Sequence, residues 1–257
     1  MPRSEGSSGW LRELRSGSGQ QPVLVCFPPG GGSASNYRSL AANLAPGPAV
    51  HAVQYPGRQD RLAEDPVSSI GELAAVIAAA MEPMAAGRPV LFGHSMGATV
   101  AFETARLLEA AGRTVAALFV SGRPDPAYVE HGNLHGAPDT EVIAELERLA
   151  NDPASVRILR EEPGIAEIVL PAVRNDYLAV ETYRYAAGEP LGCDIFALLG
   201  RSDPTTTPEQ LEEWRNHTTG HFEMRLFPGR HFYLDVHTRE VADFVSSKLM
   251  LVDAPDP

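Results

Sequence analysis

The sequence predicts an α/β protein with a mostly parallel central sheet, helices on both faces and a helical insert. Three observations predict it. Short, β-branched apolar runs alternate with longer helical patterns, the rhythm of parallel strands joined by crossover helices. Residues 123 to about 187 interrupt that rhythm with helical patterns alone. The chain has 257 residues, 44% of them hydrophobic, enough for one large core.

Taken in order, VLVCF (23–27) reads as a buried strand and 34–45 as a helix. AVHAVQY (49–55) is a second strand, followed by an Ala-rich helical stretch over 70–86. PVLFG (89–93) is a third strand, 96–111 a strong helix, and TVAALFVSG (114–122) a fourth strand. After the insert, whose helical patterns cover 139–150 and 164–186, DIFALLG (194–200) is a strand and 208–219 a helix. HFEMRLF (221–227) is the last strand and 237–250 the last helix. Residues 1–21, rich in Ser and Gly and without an apolar h-region, read as a mobile leader and not a secretion signal. The polar residues 251–257 read as a tail, which leaves 22–250 as a single domain. Helices inserted at the rim of such a sheet often gate a site, so the insert is expected to be a lid.

A net charge of −12 argues against a non-specific nucleic-acid binder. No apolar run approaches the roughly 20 residues that a bilayer demands. Cys26 and Cys193 stand apart without metal-ligand spacing, and read as small buried hydrophobes in a reducing compartment, hence the cytoplasm.

The chemistry concentrates at Gly93-His94-Ser95-Met96-Gly97, a G-x-S-x-G pattern with a strand before it and a helix after it. A strand that turns sharply into a helix strains the residue at the tip and brings its neighbours close to other backbone, which favours glycine at both flanks. Ser95 is then pushed out at the top of the sheet, facing the positive end of a helix. A serine hydroxyl needs a base, and the base a carboxylate that orients it. Both must lie beyond the carboxyl ends of strands, where Ser95 is. Asp203 follows the strand 194–200, and His231 follows the strand 221–227. Asp194 and His221 open their strands, at the wrong end; His51 lies inside a strand; His94 is expected to pack; His131, His135, His217 and His237 read as exposed. Asp176, in the insert, is the weaker competitor for the acid. An oxyanion formed at Ser95 needs two N–H donors. Met96, after the nucleophile, supplies one; in the turn Pro28-Pro29-Gly30-Gly31-Gly32-Ser33, Gly30 is the first residue able to supply the other, since Pro29 has no N–H.

The same glycine turn could open a dinucleotide site, but Ser35 stands where a third glycine belongs and Gln54-Tyr55 closes the second strand without an acidic residue. The order Ser, Asp, His is instead that of α/β-hydrolases. Together with LVCFPPGGGSASNYRSLA, QYPGRQDRL (54–62), LFGHSMGA, ETYRY (181–185), LLGRSDP and PGRHFYL, the chain resembles the stand-alone type II thioesterases of polyketide and nonribosomal peptide synthesis from about Pro22 to Leu249.

That resemblance implies an α/β-hydrolase fold with a helical lid, and hydrolysis of acyl groups from the phosphopantetheine arm of acyl or peptidyl carrier proteins. It implies Ser95, Asp203 and His231 as the triad and Met96 and Gly30 as the oxyanion donors. No metal or redox cofactor is called for; the arm belongs to the substrate. Family members often have Gly before the histidine where Arg230 stands, and Ala where Gly30 stands. Arg230 is expected to face solvent, and Arg58 to form a rigid turn paired with Glu64 or Asp65. Carrier proteins are commonly acidic, as is this chain, so docking would rely on local Arg residues or apolar contacts. An esterase or lipase acting on free small molecules, and a non-catalytic hydrolase-fold binding module, share much of this pattern.

Overall fold

The computed structural model describes residues 9–18 and 22–252. Strands Leu11–Arg15 (β1), Leu24–Phe27 (β2), Val50–Val53 (β3), Val90–His94 (β4), Ala117–Ser121 (β5), Asp194–Gly200 (β6) and Phe222–Phe227 (β7) form one sheet, in the order β1-β3-β2-β4-β5-β6-β7. All neighbours pair in parallel except β1, which is antiparallel to β3. The helices are Arg38–Asn43 (α1), Ile70–Ala80 (α2), Met96–Ala110 (α3), Asp139–Leu149 (α4), Ile158–Glu161 (α5), Pro163–Thr182 (α6), Pro208–Glu212 (α7), Tyr233–Val236 (α8) and Thr238–Val252 (α9).

The near-continuous apolar character of the parallel strands follows from burial on both faces. Val25, Phe27, Leu91, Leu118, Val120, Ile195 and Leu199 point to one side, against α2 and α3. The residues between them, such as Leu24, Cys26, Phe92, Phe119 and Phe196, point to the other, against α1 and α9. Strand order reverses at β2, whose neighbours are β3 and β4. Loops diverge there, leaving a crevice at the carboxyl ends of β2 and β4.

β1 corrects the reading of 1–21 as a mobile leader. Leu11–Arg15 adds an antiparallel edge strand, with Leu11 opposite Val53 and Glu13 opposite His51. It is tied down by side chains: the Arg15 guanidinium donates to the carbonyls of Ala41, Leu44, Ala45 and Pro48, and Arg12 pairs with Asp60. Residues 1–8 and 19–21 of that segment lie outside the described residues, as do 253–257 of the tail; residues 251–252 belong to α9.

Between β5 and β6 the described elements are helical, as expected, and α4, α5 and α6 bury Val142, Ile143, Leu159, Leu170 and Val173 in a small core of their own. This insert is therefore a body that packs internally as well as on the sheet. No helix among the described residues is long and apolar enough to cross a membrane.

Candidate active site

The turn from β4 into α3 has the geometry that its glycines foretell. Ser95 sits at φ 54°, ψ −124°, a left-handed conformation unusual for a residue with a side chain. A Cβ on Gly93 would lie 2.2 Å from the Gly97 carbonyl oxygen, and a Cβ on Gly97 would lie 2.0 Å from that of Phe27. Both contacts are with backbone, which cannot swing aside. Gly97→Ala is therefore expected to destabilise the fold by more than about 3 kcal/mol, beyond ordinary overpacking; a urea midpoint close to that of the wild type would refute this.

The sheet brings the other two predicted groups to the same rim. His231 Nδ1 lies 2.9 Å from Asp203 Oδ2, with the His231 side chain 2% exposed and that of Asp203 fully buried. Thr205, not singled out from the sequence, completes the arrangement: its N–H and its hydroxyl each donate to Asp203 Oδ1 at 2.8 Å. Burial alone would raise the Asp203 carboxyl, but the hydrogen bond and charge of His231 and the two bonds from Thr205 outweigh it and hold it below the ordinary Asp value.

Ser95, Met96, Gly30 and His231 line one cavity of about 310 Å³, roofed by Leu146, Tyr177 and other residues of α4 and α6. The turn after β2 carries Gly30 to this wall. Gly31 takes φ 72°, and a Cβ on Gly32 would strike the Pro29 oxygen at 2.9 Å. At Gly30 itself a Cβ would meet only the Asp176 Cβ, at 3.5 Å, so the conformational demand for glycine falls on its two successors. Among the described residues no acceptor takes the Gly30 N–H.

His94 packs beneath His231, with ring centroids 4.9 Å apart. Its Nδ1 lies 2.9 Å from Ser121 Oγ, which lies 2.7 Å from the Tyr233 hydroxyl. Burial, and then the nearby His231 charge, push the His94 pKa well below its usual value, so this ring stays neutral.

The thioesterase domain model matches residues 22–249. The chain belongs to the thioesterase family. It is 42% identical over 240 residues to the "Probable cadicidin biosynthesis thioesterase" of Streptomyces griseus, covering 93% of this chain and 66% of that protein. It is 40% identical over 258 residues to thioesterase PikA5 of Streptomyces venezuelae, covering 99% of this chain and 91% of that one. Its fold superposes with a TM-score of 0.83 on the type II thioesterase BorB from the borrelidin biosynthetic cluster, at 43% identity, over 95% of this chain and 97% of that one. The α/β-hydrolase class and the type II thioesterase resemblance are thereby established, and with them a thioester-hydrolysing enzyme.

Several side chains of this thioesterase lie elsewhere than the sequence suggests. Asp176 is not the partner of His231: it is buried in an ion pair with Arg58, the two side chains 2% and 9% exposed. Arg58 therefore does not pair with Glu64 or Asp65; Arg61 takes Glu64 instead. His217 is buried against Trp214 and Phe102, with Nε2 3.1 Å from Asp125. Arg230 is exposed as expected, yet its guanidinium donates to the Arg148 carbonyl at the end of α4, at 2.5 Å. Both cysteines are buried free thiols whose pKa values burial pushes up. Among the described residues no cluster of three or more His, Cys, Asp or Glu could hold a metal ion.

Proposed function

We propose that the protein releases acyl groups from the phosphopantetheine arm of acyl or peptidyl carrier domains of a modular synthase, through an acyl-enzyme on Ser95. The observation that carries this reading is the His231–Asp203 contact of 2.9 Å on the cavity that Ser95 enters from its strained turn. His231 removes the Ser95 proton as the oxygen attacks the thioester carbonyl, while Asp203 accepts from Nδ1–H, fixes the tautomer and balances the imidazolium. The Met96 and Gly30 N–H groups receive the oxyanion. Collapse expels the pantetheine thiol, which takes the proton from His231. Water then repeats the sequence on the acyl-enzyme, with His231 as base, and yields the free acid. The neutral His94 suits this cycle, because a second cation beneath His231 would oppose its protonation.

The chemistry needs no metal or redox cofactor. The insert acts as the lid over the acyl cavity, and the two buried free thiols suit a reducing cytoplasm. A panel of acyl groups loaded on carrier protein, run beside simple oxygen esters, tests the reading: turnover of the carrier-bound thioesters should exceed that of the esters by at least about tenfold in kcat/KM, a difference of about 1.4 kcal/mol in transition-state binding. A clear preference for the free esters would make the protein an esterase.

A further inference from the structure

The buried pair between Arg58 and Asp176 joins two parts of the chain that the reaction brings into one event. Asp176 is on α6, in the insert. Arg58 follows β3, in the core. The Asp176 carboxylate accepts from Arg58 Nη1 at 2.6 Å and Nη2 at 2.8 Å, and Oδ2 also accepts the Gly31 N–H at 2.7 Å. Arg58 Nη1 donates in addition to the Gly32 carbonyl at 3.1 Å. Val173, one turn earlier on α6, stands where a Cβ on Gly31 would meet its Cγ2 at 3.0 Å. The turn after β2 is thus gripped at Gly31 and Gly32, immediately beyond Gly30.

A buried ion pair is a poor way to gain stability, since desolvation offsets most of the attraction and apolar side chains of similar volume often serve as well or better. Apolar residues here would pack α6 on the core but offer no acceptor to Gly31 N–H and no donor to Gly32. What the pair adds is the position of the turn. Taking Gly30 as an oxyanion donor, as in the function proposed above, we propose that Asp176 and Arg58 are positioning residues that hold the Gly30 N–H toward the reacting carbonyl, and that the oxyanion site is complete only while α6 is seated. The pair therefore couples closure of the insert to the chemical step.

Two variants test this against a purely structural role. Asp176→Asn keeps the shape and an acceptor for Gly31 but breaks the ionic fork. The double variant Arg58→Met/Asp176→Leu removes both buried charges, fills the space and leaves Gly31 N–H unmet. Each is assayed on an acyl-pantetheine thioester, with its thermal midpoint measured alongside. A trifluoromethyl ketone analogue reports the oxyanion directly: Ser95 oxygen adds to its carbonyl, which becomes an alkoxide, and His231 keeps the proton. The matching methylene thioether forms no such charge.

In both variants kcat should fall at least about tenfold, short of the roughly 10²–10³ that deletion of an oxyanion donor costs. KM should change little, trifluoromethyl ketone affinity should fall in proportion to kcat/KM, and thioether affinity should hold. The double variant should melt close to the wild type, which keeps the test alive if Asp176→Asn folds poorly. Full kcat in a folded variant, or equal weakening of both analogues, overturns the positioning role and leaves the function intact. Undiminished turnover in Ser95→Ala instead overturns the function and this inference with it.

Discussion

Ser95→Ala is expected to lower kcat on the order of 10⁶-fold, because a nucleophile, its base and its carboxylate act as a unit and loss of the first leaves only binding and oxyanion stabilisation. Fluorophosphonate labelling should vanish with it. Stability should hardly move. Alanine at this position keeps the same left-handed backbone, whose strain is held by the backbone contacts around Gly93 and Gly97 rather than by the hydroxyl. A thermal midpoint within a few degrees of the wild type, together with lost hydrolysis of a carrier-bound thioester, is the expected pair of results. Retention of more than about one per cent of activity would place the nucleophile elsewhere, since general acid–base assistance alone typically gives 10²–10⁴-fold.

Asp203→Asn is the second large effect. The isosteric amide keeps the packing, but no longer balances an imidazolium and favours the wrong tautomer of His231; a fall of about 10⁴ in kcat is expected. Its stability carries a separate signature. The wild-type carboxyl titrates below its ordinary value because the bonds from His231 and Thr205 favour the ionised form. A lowered pKa stabilises the folded state fully above the unfolded value of about 3.9, and this contribution fades as pH falls through the folded value. The amide has no such contribution at any pH. The deficit of Asp203→Asn in urea unfolding should therefore be largest near neutrality and shrink on the acid side of about pH 4. A deficit that stays constant with pH would mean that the ionised carboxylate contributes nothing to folding.

The sheet and the triad candidates were legible for one reason: both follow from local pattern combined with a rule about strand ends. Continuous apolar runs mark strands covered on both faces, and in a parallel sheet only residues after the last strand position can meet at one rim. That rule selects Asp203 over Asp194 and His231 over His221. Most of what escaped depends on pairing across long stretches of chain. β1 is a charged segment, LRELR, that becomes a strand only because β3 offers it an unpaired edge. Arg58 and Asp176 are 118 residues apart, and nothing near either one announces the other. Thr205 lies two residues beyond Asp203, where only the fold of the turn shows its bonds.

His217 is a different case, because a signal was present. Leu211, Trp214 and His217 recur at intervals of three, and all three are buried. A run of close-spaced bulky residues on one side of a short helix places His217 inside, where the expectation of an exposed helix placed it outside.

The contact between Gly97 and the Phe27 carbonyl sets a gauge for the whole enzyme. The first turn of α3 and the end of β2 meet main chain to main chain, so the separation between the Ser95 turn and the opposing strand end is fixed by atomic radii rather than by any side chain that drift could resize. Leu146 and Tyr177 overhead reach the cavity through side chains instead, and Asp176 on α6 holds the main chain below, at Gly31. Substitution at positions such as Leu146 would thus reshape the cavity from above while the turn that carries Ser95 keeps its distance from β2.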